Sequence, residues 1–223
     1  MLEFVRTQLG AQARNAANIL LSEEISVPRK ASTRADQILG VATDLFFEKG
    51  YGHVGVDEIG VAAGLSGPAI YRHFKGKGEI LAALFDQAID GLLSVVGTAT
   101  DNPHLDLELR VRAHAGYVLT QAKLASVWIR EGRSLSRDHR NRLRRRERNY
   151  IDQWVKLIGR CYPELSPAEC EVAALTALGT LNSLPSWPRQ ASTEQLENAV
   201  TEFVVSGLDR LGRGDWADSA VAV

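Results

Sequence analysis

Apolar residues recur along most of this 223-residue chain at the i, i+3, i+4, i+7 spacing of one helix face, and no stretch shows the strict alternation of a half-buried strand. After Thr33, the residues Ile38, Val41, Ala42, Leu45 and Phe46 form one such stripe. Val56, Ile59 and Ala63 form a second, shorter one. The period resumes at Glu79 and runs to about Val96 through Leu81, Leu84, Phe85, Ala88 and Leu92. Capping signals mark the later starts. Asn102-Pro103 sets an N-cap before a proline and opens a helix through Leu107, Val111, Ala115 and Val118. Ser136 caps a long helix through Leu143, Tyr150, Ile151, Trp154 and Ile158 that ends near Gly159. Ser166-Pro167-Ala168-Glu169 and Ser192-Thr193-Glu194-Gln195 both have capping-box spacing, and they open helices at about 167–183 and 193–211. The expected fold class is all-α.

The segment Val54–Glu79 reads as two short helices joined by a tight turn at Gly64-Leu65-Ser66. Ser66 is the expected N-cap of the second helix, with Gly67, Pro68 and Ala69 as its first residues. Leu65, Ile70 and Phe74 can close a small core, while Tyr71, Arg72, His73, Lys75 and Lys77 offer hydrogen-bond donors beyond a first turn of small side chains. Small residues let a helix start approach a phosphate or base edge closely. A helix-turn-helix that reads nucleic acid is the natural expectation.

These residues resemble the TetR family of one-component bacterial regulators. Phe46-Phe47-Glu48-Lys49-Gly50-Tyr51 looks like the end of that family's first helix. Val56-Asp57-Glu58-Ile59 and Ala62-Ala63-Gly64-Leu65-Ser66 look like its second helix and turn, and Ile70-Tyr71-Arg72-His73-Phe74 with Lys77 like its recognition helix and the start of the fourth. The resemblance is strong over about residues 33 to 90 and continues beyond only as amphipathic helices. Two features depart from the family pattern. Val54 and Gly55 replace hydroxyl side chains that many relatives place there, and Gly60 replaces alanine.

The resemblance implies an N-terminal arm (1–32), a helix-turn-helix domain (33–78), a helical effector and dimerisation domain (79–212) and a tail (213–223). It implies a cytoplasmic homodimer, paired through the helices at about 167–183 and 193–211, on a near-palindromic double-stranded operator. Repression relieved by a small-molecule effector is the expected mode. Tyr71, His73 and Lys77 are the expected phosphate contacts, and Gly67, Pro68, Ala69 and Arg72 the groove-facing surface. Ser66 and Arg34 flank them, with Arg34 joining Arg29 and Lys30 along the backbone or in a minor groove. In the C-terminal region Tyr117, Trp128, Trp154 and Trp187, with Asn182 interrupting an apolar helix, suggest a largely apolar effector pocket with few polar anchors.

Composition narrows the alternatives. A formal net charge of −1 excludes global attraction to DNA, so contact must come from a local patch, and residues 28–80 hold seven Lys or Arg against six acids. Cys161 and Cys170 are the sole cysteines and form no metal-type cluster with histidine, no secretory signal is visible, and no apolar run approaches the ~20 residues of a membrane span. No cofactor or metal is expected. An enzyme finds little support: His53, His73, His104, His114 and His139 lack i, i+4 pairing, and there is no Gly-rich phosphate loop or nucleophile elbow. A sequence-indifferent DNA binder is the other alternative. The seven arginines within Arg137–Arg148 look like a DNA-binding run but fit a solvated helix face better, with the phosphates of an acyl-coenzyme A as a sharper reading.

Overall fold

Caps decide where the helices of this chain begin. In the computed structural model, which describes residues 33–95, 99–187 and 190–214, the Asn102 side chain accepts hydrogen bonds from the His104 and Leu105 amides, and helix α5 (Pro103–Thr120) follows. Ser136 accepts from the His139 amide at the head of the long α7 (Arg137–Cys161). Complete capping boxes at Ser166/Glu169 and Ser192/Gln195 open α8 (Pro167–Ser183) and α9 (Thr193–Gly212). The remaining helices are α1 (Arg34–Lys49), α2 (Val56–Ala62), α3 (Gly67–Ile70), α4 (Lys77–Ser94) and α6 (Ala122–Glu131). No strand occurs among the described residues. The expected arm (1–32), with Arg29 and Lys30, and the tail from residue 215 lie outside them.

Two expectations need correction. The helix expected from Ser66 to Phe74 is α-helical for a single turn, and residues 71–73 continue as turns in which the His73 and Phe74 amides both reach the Ile70 carbonyl. Ser66 holds the N-cap position with extended backbone, but its side chain makes no capping hydrogen bond. With Gly67 and Pro68 contributing poor propensity, tertiary packing of Ile70 and Phe74 holds the segment instead. Helix α6 is the second difference: Gln121, at φ −98° and ψ 34°, ends α5 and starts α6 without any capping side chain.

Apolar burial falls into two clusters. The first gathers Ile38 and Phe46 of α1, Ile59 of α2, Ile70 of α3 and Ile80, Leu84 and Phe85 of α4, closed by Leu124 and Val127 of α6 and Leu143 of α7. The second is built from α5, α7, α8 and α9 around Val111, Trp154, Ile158, Ala174, Leu181 and Val204. Helix α4 belongs to both, since Leu93 packs against each cluster. A Cβ on Gly91 of α4 would overlap the Tyr117 ring of α5, so any side chain there would displace that ring.

The turn between α2 and α3 depends on Gly64, whose φ of +65° is left-handed. Gly60 is different. A Cβ at this buried position would meet the Leu65 carbonyl at 3.7 Å and Ile70 at 3.9 Å, ordinary van der Waals contacts. Gly60→Ala is therefore expected to add about 1 kcal/mol of helix stability and raise Tm by roughly 2–4 °C. A thermal melt showing a lower Tm would contradict this packing.

Candidate nucleic-acid interface and effector cavity

Ile70 and Phe74 anchor the segment after the Gly64 turn to the first core, at 0% and 7% exposure. Their neighbours are consequently turned out. Ser66, Pro68, Tyr71, Arg72, His73 and Lys75 are all exposed and Ala69 is half-buried. Tyr71 is 52% exposed rather than packed in the core. Lys77 sits differently. Its ammonium donates to the Tyr51 and Gly52 carbonyls at 2.8 and 3.5 Å and lies 4.4 Å from the centre of the Tyr51 ring, so it pins the start of α4 to the 3₁₀ turn Tyr51–His53. Two of its three N–H donors are thereby engaged within the protein.

Two helices carry this module into the second half of the chain. Along α4, Asp86 and Asp90 are clamped by arginines of α7. Arg142 reaches Asp86 at 2.8 Å, and Arg146 bonds Asp86 at 2.7 Å and also bonds Asp90. Helix α6 grips the end of α1. Arg130 donates to the Phe47 carbonyl at 2.9 Å, Lys123 pairs with Asp44 at 2.6 Å, and Trp128 packs on Phe85 with ring centres 4.7 Å apart. The arginine run is thus largely engaged with the protein: Arg148 pairs with Glu171 and Arg140 with the Leu135 carbonyl as well.

Between these helices lies a cavity of about 340 Å³ walled by α4, α5, α6, α7 and α8. Its apolar wall includes Ala88, Ile89 and Leu92 of α4 and Leu124 and Trp128 of α6. Of the aromatic and amide residues singled out in the sequence, Tyr117, Trp128 and Asn182 line it together. Trp154 does not. It is fully buried behind the wall, edge-on to His114 with ring centres 5.9 Å apart. Trp187 also lies elsewhere, 43% exposed after the short 3₁₀ turn that follows α8.

The sequence reading expected Asn182 here but missed its polar partners, His114 and Tyr150. His114, 1% exposed, is 2.9 Å from the Tyr150 hydroxyl through Nδ1 and 3.0 Å from Asn182 Oδ1 through Nε2. An amide oxygen can only accept, so Nε2 carries the proton and donates to it, while Tyr150 donates to Nδ1. Burial holds the imidazole neutral, with its pKa lowered to about 4, against the smaller opposing effect of Asn182. Tyr117 is likewise shifted by burial first and Asp90 second, up to about 12. A histidine inside an apolar helix stripe, seven residues after Leu107 and three before Tyr117, was the only signal in the sequence.

Comparison with known proteins agrees with this architecture. Residues 38–84 match the family model described as bacterial regulatory proteins, tetR family, and residues 100–208 match a tetracyclin repressor-like C-terminal domain. The HTH-type transcriptional activator FasR of Mycolicibacterium smegmatis is 40% identical over 73 residues, 31% of this chain and 33% of FasR. The match therefore spans about a third of that curated relative. Among solved structures, a tetR-family regulatory protein from Rhodococcus RHA1 superposes with a TM-score of 0.71 at 22% identity, covering 79% of this chain and 97% of that one. AibR in complex with isovaleryl coenzyme A and operator DNA has a TM-score of 0.68 at 22% identity, covering 77% and 97%. Among the described residues no helix is long and apolar enough to cross a membrane, and no cluster of His, Cys, Asp or Glu suits a metal ion.

The neutral, buried His114 sets a pH signature. In the unfolded chain histidine binds a proton below about pH 6.5, whereas the folded site resists it down to about 4. Its contribution to stability is therefore intact above pH 7 and is lost as pH falls through 6.5 towards 4, amounting to about 2 kcal/mol at pH 5. Urea unfolding at pH 7.5 and 5.0 is expected to show a larger drop for the native protein than for His114→Asn. Equal drops would show that His114 is not held neutral.

Proposed function

The chain belongs to the TetR family of bacterial regulatory proteins, and on that premise we propose that it is a ligand-responsive transcriptional regulator, binding a near-palindromic operator as a homodimer in the cytoplasm and released by a small, largely apolar molecule. One observation carries this reading: α4 and α6 each contribute to the cavity wall and to the core of the helix-turn-helix. A molecule that fits the cavity better in one arrangement of these helices than in another shifts the population towards that arrangement. The acyl part of a coenzyme A thioester is a candidate occupant, supported by the ligand solved with AibR.

In the DNA complex we assign Gly67, Pro68, Ala69 and Arg72 to the groove, and Ser66, Tyr71 and His73 to phosphates. Lys77 contributes its remaining N–H, and Arg34 flanks the set. Pairing through α8 and α9 is supported by apolar side chains left bare on a single chain, with Val172 at 62% and Phe203 at 71% exposure, beside the small exposed residues Gly179, Ser206 and Gly207. A twofold dimer then presents its two reading segments about 34–36 Å apart, one turn of B-DNA.

Repression by operator occupancy is the main reading. The activator role named for FasR favours a second, in which the bound dimer promotes transcription. A reporter fused to the selected operator separates them, since deleting the regulator raises expression in the first case and lowers it in the second.

Selection from random DNA tests the whole proposal, with an expected preference of ~10³ or more for a near-palindrome over bulk DNA at physiological salt. Sequence-indifferent binding would overturn it. Phe203→Glu is expected to give a monomer by light scattering, with operator affinity lowered at least about tenfold and helical content unchanged; a stable dimer would move the interface elsewhere. Lys77→Ala is expected to reduce the slope of log K against log salt by about one. An unchanged slope would restrict Lys77 to its tether on Tyr51.

A further inference from the structure

We propose that the cavity admits an acyl group in the form of an uncharged thioester or ester and rejects the free carboxylate of the same chain, with Glu147 as the rejecting residue; this rests on the cavity being the effector site. Its volume of about 340 Å³ lies within the roughly 300–1,000 Å³ of small-molecule pockets and, with its apolar wall, suits a medium acyl chain.

The charges in and around the wall set the selectivity. No lysine or arginine lines the cavity. Its histidine is neutral and committed to Tyr150 and Asn182. Glu147 of α7 does line it, half-buried, and its carboxylate has no hydrogen-bond or ion-pair partner among the described residues. The cations nearby are engaged or turned away. Arg142 and Arg146 hold Asp86 and Asp90, Arg148 holds Glu171, and Arg110, outside the cavity lining, bonds Gln153 at 3.4 Å with its Nε unpaired among the described residues. Arg144, exposed, exerts the weaker pull on Glu147, and burial outweighs it in raising the Glu147 pKa. A site that already holds one negative charge poorly holds a second, close and partly dehydrated, less well still.

An uncharged carbonyl meets a different situation. Asn182 accepts from His114 through Oδ1, which orients the amide and leaves both N–H donors of Nδ2 without a protein partner. A thioester or ester oxygen can accept from them without bringing a charge. Coenzyme A and an acyl carrier protein present the same acyl–sulfur linkage.

Isothermal titration with S-decanoyl-N-acetylcysteamine and with decanoate measures the selectivity, in the native chain and in Glu147→Gln. The native chain is expected to bind the thioester at least about tenfold tighter. Glu147→Gln should tighten decanoate at least about fivefold and leave the thioester within about twofold, while Glu147→Asp keeps the native preference. Decanoate binding as tightly as the thioester to the native chain, or a ratio unmoved by Glu147→Gln, would overturn the inference while leaving the cavity as effector site. Binding of neither probe would overturn the effector reading and the inference with it. Decanoyl-coenzyme A binding more tightly than the short thioester supports coenzyme A as carrier; equal affinity supports recognition of the acyl linkage alone.

Discussion

Helix α4 is the constraint on which the rest of the structure depends. Its first half completes the core of the helix-turn-helix through Ile80, Leu81, Leu84 and Phe85, and its second half walls the cavity through Ala88, Ile89 and Leu92. A continuous helix transmits a displacement along its axis rather than absorbing it, because bending it breaks backbone hydrogen bonds that have no replacement. Both ends are tied. Lys77 fastens the start to the Tyr51 carbonyl, and Asp86 and Asp90 are clamped by Arg142 and Arg146. These ion pairs are partly exposed and individually of modest strength, so their value lies in fixing the register of α4 on α7 rather than in stability.

Helix α6 provides a parallel connection. Leu124 and Trp128 face the cavity and the first core together, and Arg130 caps the carbonyls at the end of α1. The cavity is accordingly surrounded on one side by elements that also position the reading segment. On its other side the apolar wall carries the hydrogen-bonded chain Tyr150–His114–Asn182, buried at His114 and exposed at Asn182.

Much of this was legible in the sequence, for identifiable reasons. Capping side chains are local, so the starts of α5, α7, α8 and α9 followed from Asn102, Ser136, Ser166 and Ser192. The bend at Gly64 and the outward face of Tyr71 and Arg72 followed from spacing around Ile70 and Phe74. Helix α6 was not legible because Gln121 carries neither a cap nor a breaker, and the bend there is imposed by packing on α1 and α4. Ser66 shows the converse case, a good capping residue whose side chain does not cap. Trp154 and His114 exchanged roles for a related reason: periodicity places both on buried faces, and only the packing of α5 on α7 decides that the imidazole reaches the cavity while the indole stands behind it. The arginine run of α7 reads in the sequence as a solvated helix face, and only the fold shows that Arg142, Arg146 and Arg148 meet carboxylates on α4 and α8.

The central claim is that filling the cavity moves α4 and with it the reading segments of a dimer. Cys161 and Cys170 are buried, so a spin label on Arg72→Cys reports from that segment alone. Pulsed electron resonance on the labelled dimer, with and without saturating S-decanoyl-N-acetylcysteamine, measures the separation directly. The account predicts a distribution compatible with one turn of B-DNA, about 34–36 Å, without ligand, and a shifted or broadened one with it. An identical distribution in a protein that demonstrably binds the ligand would contradict the coupling.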